Sequence, residues 1–401
     1  MRTALLFAIC VVAVCRPGRA QTRPTLQDVV QTALRQNPDI LGARLRTDSA
    51  VAGQRIARAL PNPTVSTLTG VPFQYSATQL VDVGPQRLYR TRAAAQGTAA
   101  SRYDLEDVTR QTLFAVRQAF YNVLLSEALR GLAVERRDIF RQLLAADSAR
   151  LRSGDVPERN VTTSEVQLAR AEADLTRAGA SVHAARLTLQ LLMGVPAPDT
   201  GFTVSGDLAY RPVAIPVDSL DALAMADRPD IRAADVRVAQ ARTLSSYATA
   251  ELFPTPEISL AYQPAAPYTT GSHYAFGVGL SVPLFYWYGG ERAQSRAGLE
   301  AARIASLRVR AQVGNDVATA LDGLRAAGGL AERYESGLLA KSQAALETGR
   351  YAYRAGANSL LDLLNAIQTY SDTKAEYYTA VHDYWVSVFA LGRAVGRDFT
   401  P

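Results

Sequence analysis

Chemistry in this chain would have to come from very few residues. Of its 401 residues only three are histidine, His183, His273 and His382, and they lie far apart, with no ligand spacing and no neighbouring nucleophile motif. Neither a metal centre nor a catalytic triad is visible. Both cysteines, Cys10 and Cys15, stand near the N-terminus, and acidic neighbours such as Glu172 and Asp174 are two apart on a helical tract and do not share a face. No catalytic residue, metal ligand or cofactor is assigned. The distinctive residues lie instead in two short turns, Leu151-Arg152-Ser153-Gly154-Asp155-Val156-Pro157 and Tyr353-Arg354-Ala355-Gly356-Ala357-Asn358-Ser359. Each glycine fits the left-handed position that ends a helix, and Pro157 and Ser359 suit the start of the next one.

Those turns sit in a chain that is written twice. Gln36-Asn37-Pro38-Asp39-Ile40 recurs as Asp227-Arg228-Pro229-Asp230-Ile231, and Leu60-Pro61-Asn62-Pro63 recurs as Phe253-Pro254-Thr255-Pro256. Gly154 and Gly194 are 40 residues apart, as are Gly356 and Gly396. Fixed spacing of this kind implies two copies of one structural unit, 21–215 and 216–401. Before them, Met1-Arg2, the apolar run 4–14 and Gly18-Arg19-Ala20 read as a secretory signal over 1–20, cut before Gln21. Val12-Ala13-Val14-Cys15 is a weak match to a lipid-attachment site. Loss of Arg2, Arg16 and Arg19 with the signal takes the formal net charge from +6 to +3. Lysine occurs only at Lys341 and Lys374, and no basic block is interleaved with aromatics, so nucleic acid is not a partner.

Proline is absent from 87–156 and from 284–400, stretches that can hold very long helices. Leu113, Val116, Phe120, Val123 and Leu124 keep the three-and-four spacing of a packed helix face. The spacing predicts one continuous rod over 88–153 and a second over 291–353, each on the order of 100 Å long at 1.5 Å per residue. Shorter helices over 38–60 and 157–193, and over 229–252 and 359–395, would stack end to end beside them. Between short helix and rod lie hairpins at about 64–83 and 257–284. In the second, Tyr274, Phe276, Val278, Leu280, Val282 and Leu284 alternate with small or polar residues. Each strand is expected to have about ten residues or more, enough to cross an outer membrane when tilted. The first turn, near 70–74, is expected to be tight and the second, 264–272, longer. Phe285, Tyr286, Trp287 and Tyr288 close the last strand as an aromatic belt at the lipid headgroups would. Four strands cannot close a barrel, and an open edge in lipid leaves backbone groups unsatisfied, so copies of the chain must complete it.

These features together resemble the TolC family of outer-membrane efflux channels over essentially the whole mature chain. The carrying residues are the opening helix 25–34 followed by Asn37-Pro38-Asp39, Val83-Gly84-Pro85-Gln86-Arg87 after the first hairpin, Gly289-Gly290-Glu291-Arg292 after the second, and the closing Leu391-Gly392-Arg393-Ala394-Val395-Gly396. The resemblance implies an α+β membrane protein: long helical hairpins forming a periplasmic α-barrel, plus a four-stranded share of a trimeric transmembrane β-barrel in outer-membrane lipid. It implies a homotrimer serving as exit duct of a tripartite pump, with a periplasmic adaptor and an inner-membrane transporter of RND or ABC type. Adaptor docking would then fall at Arg152, Gly154, Asp155, Arg354, Gly356 and Asn358. The family's gate maps onto Tyr353, Asp362 and Asn365, with departures: Asn365 stands where some members have a second aspartate, and Asn358 replaces the usual arginine partner of the tyrosine. The short first hairpin and the 82–87 turn resemble members associated with heavy-metal cation pumps. A periplasmic coiled-coil adaptor or scaffold is the alternative, and it would lack the paired amphipathic hairpins.

Overall fold

The computed structural model describes residues 23–70, 73–265 and 271–399. The expected signal and Cys15 lie outside the described residues, as do parts of both hairpin turns. Two short helices, α1 (Leu26–Gln36) and α2 (Pro38–Arg58), lead into strands β1 (Thr64–Leu68) and β2 (Gln74–Leu80), followed by α3 (Pro85–Arg152) and α4 (Glu158–Leu192). The same order follows with α5 (Leu220–Asp227), α6 (Pro229–Ala250), β3 (Pro256–Gln263), β4 (His273–Leu280), α7 (Gly289–Arg333), α8 (Leu339–Arg354) and α9 (Leu360–Val395). With 68 residues, α3 is about 100 Å long.

Local sequence explains where helices begin. Thr25 and Asp28 form a reciprocal capping box on α1, and Pro38, Pro85 and Pro229 occupy first-turn positions where no amide hydrogen is needed. Asn37 both caps α2, accepting from the Asp39 and Ile40 amides, and donates Nδ2 to the Leu192 carbonyl at 2.8 Å. It thereby joins the start of α2 to the end of α4. Gly194 closes that joint, since its φ is +75° and a Cβ there would collide with the Gln36 carbonyl oxygen. Arg228 does the same work between α6 and α9, donating Nη1 to the Ala394 carbonyl at 3.0 Å. End-to-end stacking of short helices is thus fixed by side chains bonding the carbonyls that a helix end leaves free.

In the helical wall α3 packs on α2, α4, α6 and α9, while α7 packs on α6 and α9, and α8 on α9. The main core lies where α1, the middle of α3 and the C-terminal half of α9 meet, around Val116, Phe120, Val123, Val381, Trp385 and Val388. An extended segment over 202–213 crosses it, held by Trp385 Nε1 donating to the Ala209 carbonyl and the Val213 amide donating to the Tyr384 hydroxyl, each at 2.9 Å. A second core between α3, α8 and α9 includes Phe140, Leu143, Leu363 and Ile367.

The sheet has order β1-β2-β3-β4, all antiparallel, so that β2 and β3 join the two halves. Its strands have 5, 7, 8 and 8 residues, shorter than the ten or more expected from alternation. Pro63 precedes β1 and Pro256 opens β3, neither with the N–H a ladder needs, and β4 pairing ends at Leu280 opposite Pro256, short of Pro283. A second expectation also fails: the rod over 291–353 is not one α-helix. It breaks at a π-helical turn, Tyr334–Leu338, where Gly337 takes φ 143°. Among the described residues no helix is long and apolar enough to cross a membrane.

Candidate functional site

Two regions at opposite ends of α3 carry the features singled out from sequence. At the far end from the sheet, both helix-to-helix turns close alike. The Gly154 amide donates to the Leu151 carbonyl and the Asp155 amide to the Arg150 carbonyl; the Gly356 amide donates to Tyr353 and the Ala357 amide to Ala352. These are Schellman closures, and the glycines sit at φ +80° and +75° as such closures require. Arg152, Gly154, Asp155, Arg354, Gly356 and Asn358 are all exposed. Ser153 Oγ donates to the Asp155 carboxylate at 2.7 Å, and Val156 tucks inward. Each tip thus presents a glycine backbone with a long arginine, Arg152 or Arg354, two residues before it. A groove of about 510 Å³ runs between them, lined by residues of both, including Arg150, Arg159, Asn358 and Leu361.

The three gate residues divide into an exposed pair on the first turns of α9, Asp362 and Asn365, and a buried Tyr353. Asp362 forms a capping box at the start of α9, accepting from the Ser359 amide at 3.0 Å and from its hydroxyl at 2.7 Å, and these bonds hold its carboxyl below the usual aspartate range. It and Asn365 are exposed. Tyr353 instead turns inward: it is 5% exposed and donates its hydroxyl to Asp147 Oδ1 at 2.6 Å. Asp147, fully buried, also accepts from Ser164 Oγ at 2.6 Å. The Arg150 guanidinium lies 5.3 Å from the Tyr353 ring centre. Burial, with the Asp147 carboxylate second, pushes the Tyr353 hydroxyl up to about 12. This Tyr353–Asp147–Ser164 network ties α8 to both α3 and α4, and sequence reasoning missed its acid and serine. The available signal was Asp147 itself, which falls four residues after Leu143 and seven after Phe140, on a face otherwise apolar.

At the other end the sheet is two-faced. Register aligns Val65 with Ala77, Leu260 and Phe276, and Gln79 with Ile258 and Val278, so one face is largely apolar. That face is bare: Tyr274, Phe276 and Val278 are 70% exposed or more. Phe285 is 99% exposed, and Tyr286 and Trp287 are exposed beside it; Tyr288 turns aside to begin α7 with φ 51°. Apolar area of this extent has no place in water. At the opposite end of the same face Tyr75, Tyr262 and Tyr274 stack across three strands, with ring centres 6.4 and 4.9 Å apart. This second aromatic band was not anticipated, because its members lie on strands that only pairing brings together.

Of the histidines, His382 is buried between Asn122 and Asp383 at 2.7 and 2.9 Å. Among the described residues no group of three or more histidines, cysteines or acids could hold a metal ion.

The family model for the outer membrane efflux protein matches residues 29–195 and 222–397. The cobalt-zinc-cadmium resistance protein CzcC of Cupriavidus metallidurans is 23% identical across 95% of this chain and 92% of its own length. Nodulation protein T of Rhizobium leguminosarum bv. trifolii is 26% identical across 94% of this chain and 86% of its own. Among solved structures, the CmeC outer membrane channel of Campylobacter jejuni superposes with a TM-score of 0.81 at 15% identity, covering 100% of this chain and 94% of that one. With two helical tips at one end, a bare apolar sheet at the other and a family match over most of its length, the chain belongs to the outer membrane efflux protein family, a family of channel proteins, and is an outer-membrane protein extending into the periplasm.

Proposed function

We propose that this protein is the exit duct of a tripartite pump: a homotrimer of two-repeat chains whose twelve strands close a barrel in the outer membrane. Its helices would line a tunnel that passively conducts what an inner-membrane transporter of RND or ABC type and a periplasmic adaptor deliver. The observation that carries this reading is the sheet, whose apolar face is exposed while, among the described residues, β1 and β4 are edges with no second strand beside them. Lipid would cover the face, and only further strands can satisfy the edges. Adaptor docking is assigned to the tip residues around Gly154 and Gly356, and the periplasmic gate to the start of α9, where three copies of Asp362 would favour cations at a narrow entrance. Tyr353, as a buried strut, would position that entrance rather than line it. The likeness to a protein named for cobalt, zinc and cadmium resistance supports small cations as cargo.

Purified protein in planar bilayers tests the channel directly. Stepwise single-channel conductance from a trimeric species is expected; a soluble, non-conducting monomer would instead favour the adaptor or scaffold alternative. Replacing Gly356 by Trp, which cannot adopt φ +75° without strain, is expected to abolish efflux in cells while trimers still reach the outer membrane. Normal efflux from that variant would remove the docking assignment.

A further inference from the structure

The polar face of the sheet holds a charge that the proposed gate does not use. Among the described strand residues Glu257 is the sole Asp, Glu, Lys or Arg, and alternation places it on the face opposite Ile258, Leu260 and Tyr262. Its row runs Leu80, Glu257, Gly279 across three strands, at the end of the sheet nearest the rods. Gly279 makes room for it: a Cβ there would lie 2.5 Å from Glu257 Oε1 and 2.6 Å from its Cγ. The glutamate side chain therefore lies across β4 instead of standing away from the sheet. In the next row Gly277 makes the same room for Ser259, whose Oγ would be 2.5 Å from an added Cβ. Ser66, Ser76, Thr78 and Ala275 are further small uncharged side chains on this face, which also carries Leu80 beside Glu257 and Leu68, Gln74, Gln263 and His273 towards its far end. No ion pair among the described residues involves Glu257.

We infer that Glu257 is a specificity-determining residue of the pore, three copies forming a carboxylate ring at the periplasmic end of the barrel lumen that selects cations over anions. The inference rests on the trimeric pore proposed above. If the apolar face meets lipid, the Glu257 face lines the lumen, and the two glycines let the ring narrow the charge distribution without a bulky side chain closing the path. His273, on the same face, stands six residues away along the β3–β4 ladder at its Gln263 level, roughly 20 Å by strand rise. That exceeds the screening length of about 10 Å at 0.1 M salt, so at that salt His273 is too far away to offset the ring.

Reversal potentials of purified trimers across a potassium chloride gradient test this, in wild type, Glu257→Gln, Glu257→Asp and Thr78→Lys, each with and without Asp362→Ala. Thr78 lies one row along the same face, opposite Ser259, so its lysine variant offsets the ring without replacing the glutamate and keeps the test alive if the glutamine variant does not assemble. Wild type and Glu257→Asp should prefer cations. Glu257→Gln and Thr78→Lys should lower the cation-to-anion permeability ratio by about threefold or more at about 0.1 M salt, in both Asp362 backgrounds, with the difference fading towards 1 M as screening shortens. Conducting variants with an unchanged ratio, or a ratio that responds to Asp362→Ala alone, would overturn the inference and leave the channel intact. A wild-type protein that forms no pore would remove the channel reading and this one with it.

Discussion

Tyr353 and Arg228 show how a few polar side chains hold long helices in register. Tyr353→Phe removes a donor from the buried Asp147 carboxylate, which keeps Ser164 as its remaining donor. A lost bond to a buried charge costs about 1–3 kcal/mol, and the expected readout is faster proteolysis at the 151–157 and 353–359 turns. Since the Tyr353 hydroxyl is raised to about 12, its contribution is complete below the unfolded tyrosine value near 10 and is lost as pH rises from there through 12. Tip protection measured by hydrogen exchange should fall across that window in wild type, and the variant should lack that component. Arg228, with its side chain 4% exposed, pairs with Asp230 and Asp316 at 2.6 and 2.9 Å. Burial alone would raise the Asp230 carboxyl, but hydrogen bonding and charge pairing with Arg228 outweigh it and hold it low. Arg228→Met would take the guanidinium from both acids, which stay part-exposed and keep the Ile231 amide and Gln312 Nε2 as donors, and the urea midpoint should drop by an amount equivalent to about 1–3 kcal/mol. From sequence, Arg228 was visible only as an echo of Asn37; that both reach carbonyls two residues before a left-handed glycine needed coordinates.

At the level of elements, α3 and its counterpart differ. α3 runs unbroken for 68 residues, whereas α7 and α8 meet at a π-helical turn. The two stretches looked equivalent because neither contains proline, and a glycine inside a helical pattern does not announce its φ. Gly337 at φ 143° sits in a region that side chains rarely adopt, although nothing lies within 4 Å of a Cβ there. Gly337→Ala is expected to destabilise by about 1 kcal/mol or more. Gly298→Ala, exposed in the α7 interior with no close neighbour, should stabilise by roughly 0.5–1 kcal/mol. Thermal melts of the two variants should therefore move in opposite directions. Strand existence and facing were legible from alternation, but strand length was not, because alternation runs on through Val282 and Leu284 after Leu280 has met Pro256, the first residue of β3.

For the whole molecule, the open sheet edges and the open sides of the helical wall fall on the same flanks. β1 follows α2 and β4 precedes α7, and α2 and α4 flank α3 while α7 and α8 flank α9, so a copy added at β4 would also meet α7 and α8, and one added at β1 would meet α2 and α4. Single cysteines placed at Ser66 on β1 and Ala275 on β4, in a chain whose natural cysteines, Cys10 and Cys15, are replaced by alanine, should be joined between chains by a short thiol-reactive linker. The expected product is a ladder ending at three; a linked species that ends at two, or none, would rule out the trimer.

Sequence by itself determined the periodic content of this protein: two runs long enough for rods, two amphipathic hairpins, glycines where helices turn back, and a histidine and cysteine supply too sparse to suggest catalysis. Those features follow from local rules of spacing and backbone freedom, which act within a few residues. Tertiary structure alone decided which distant groups meet. It buried Asp147 under Tyr353, stacked three tyrosines from three strands, set Glu257 over Gly279, and bent one rod but not the other. Each of these depends on the register between elements, and register is set by the sum of packing along about 100 Å of helix rather than by any motif the chain displays.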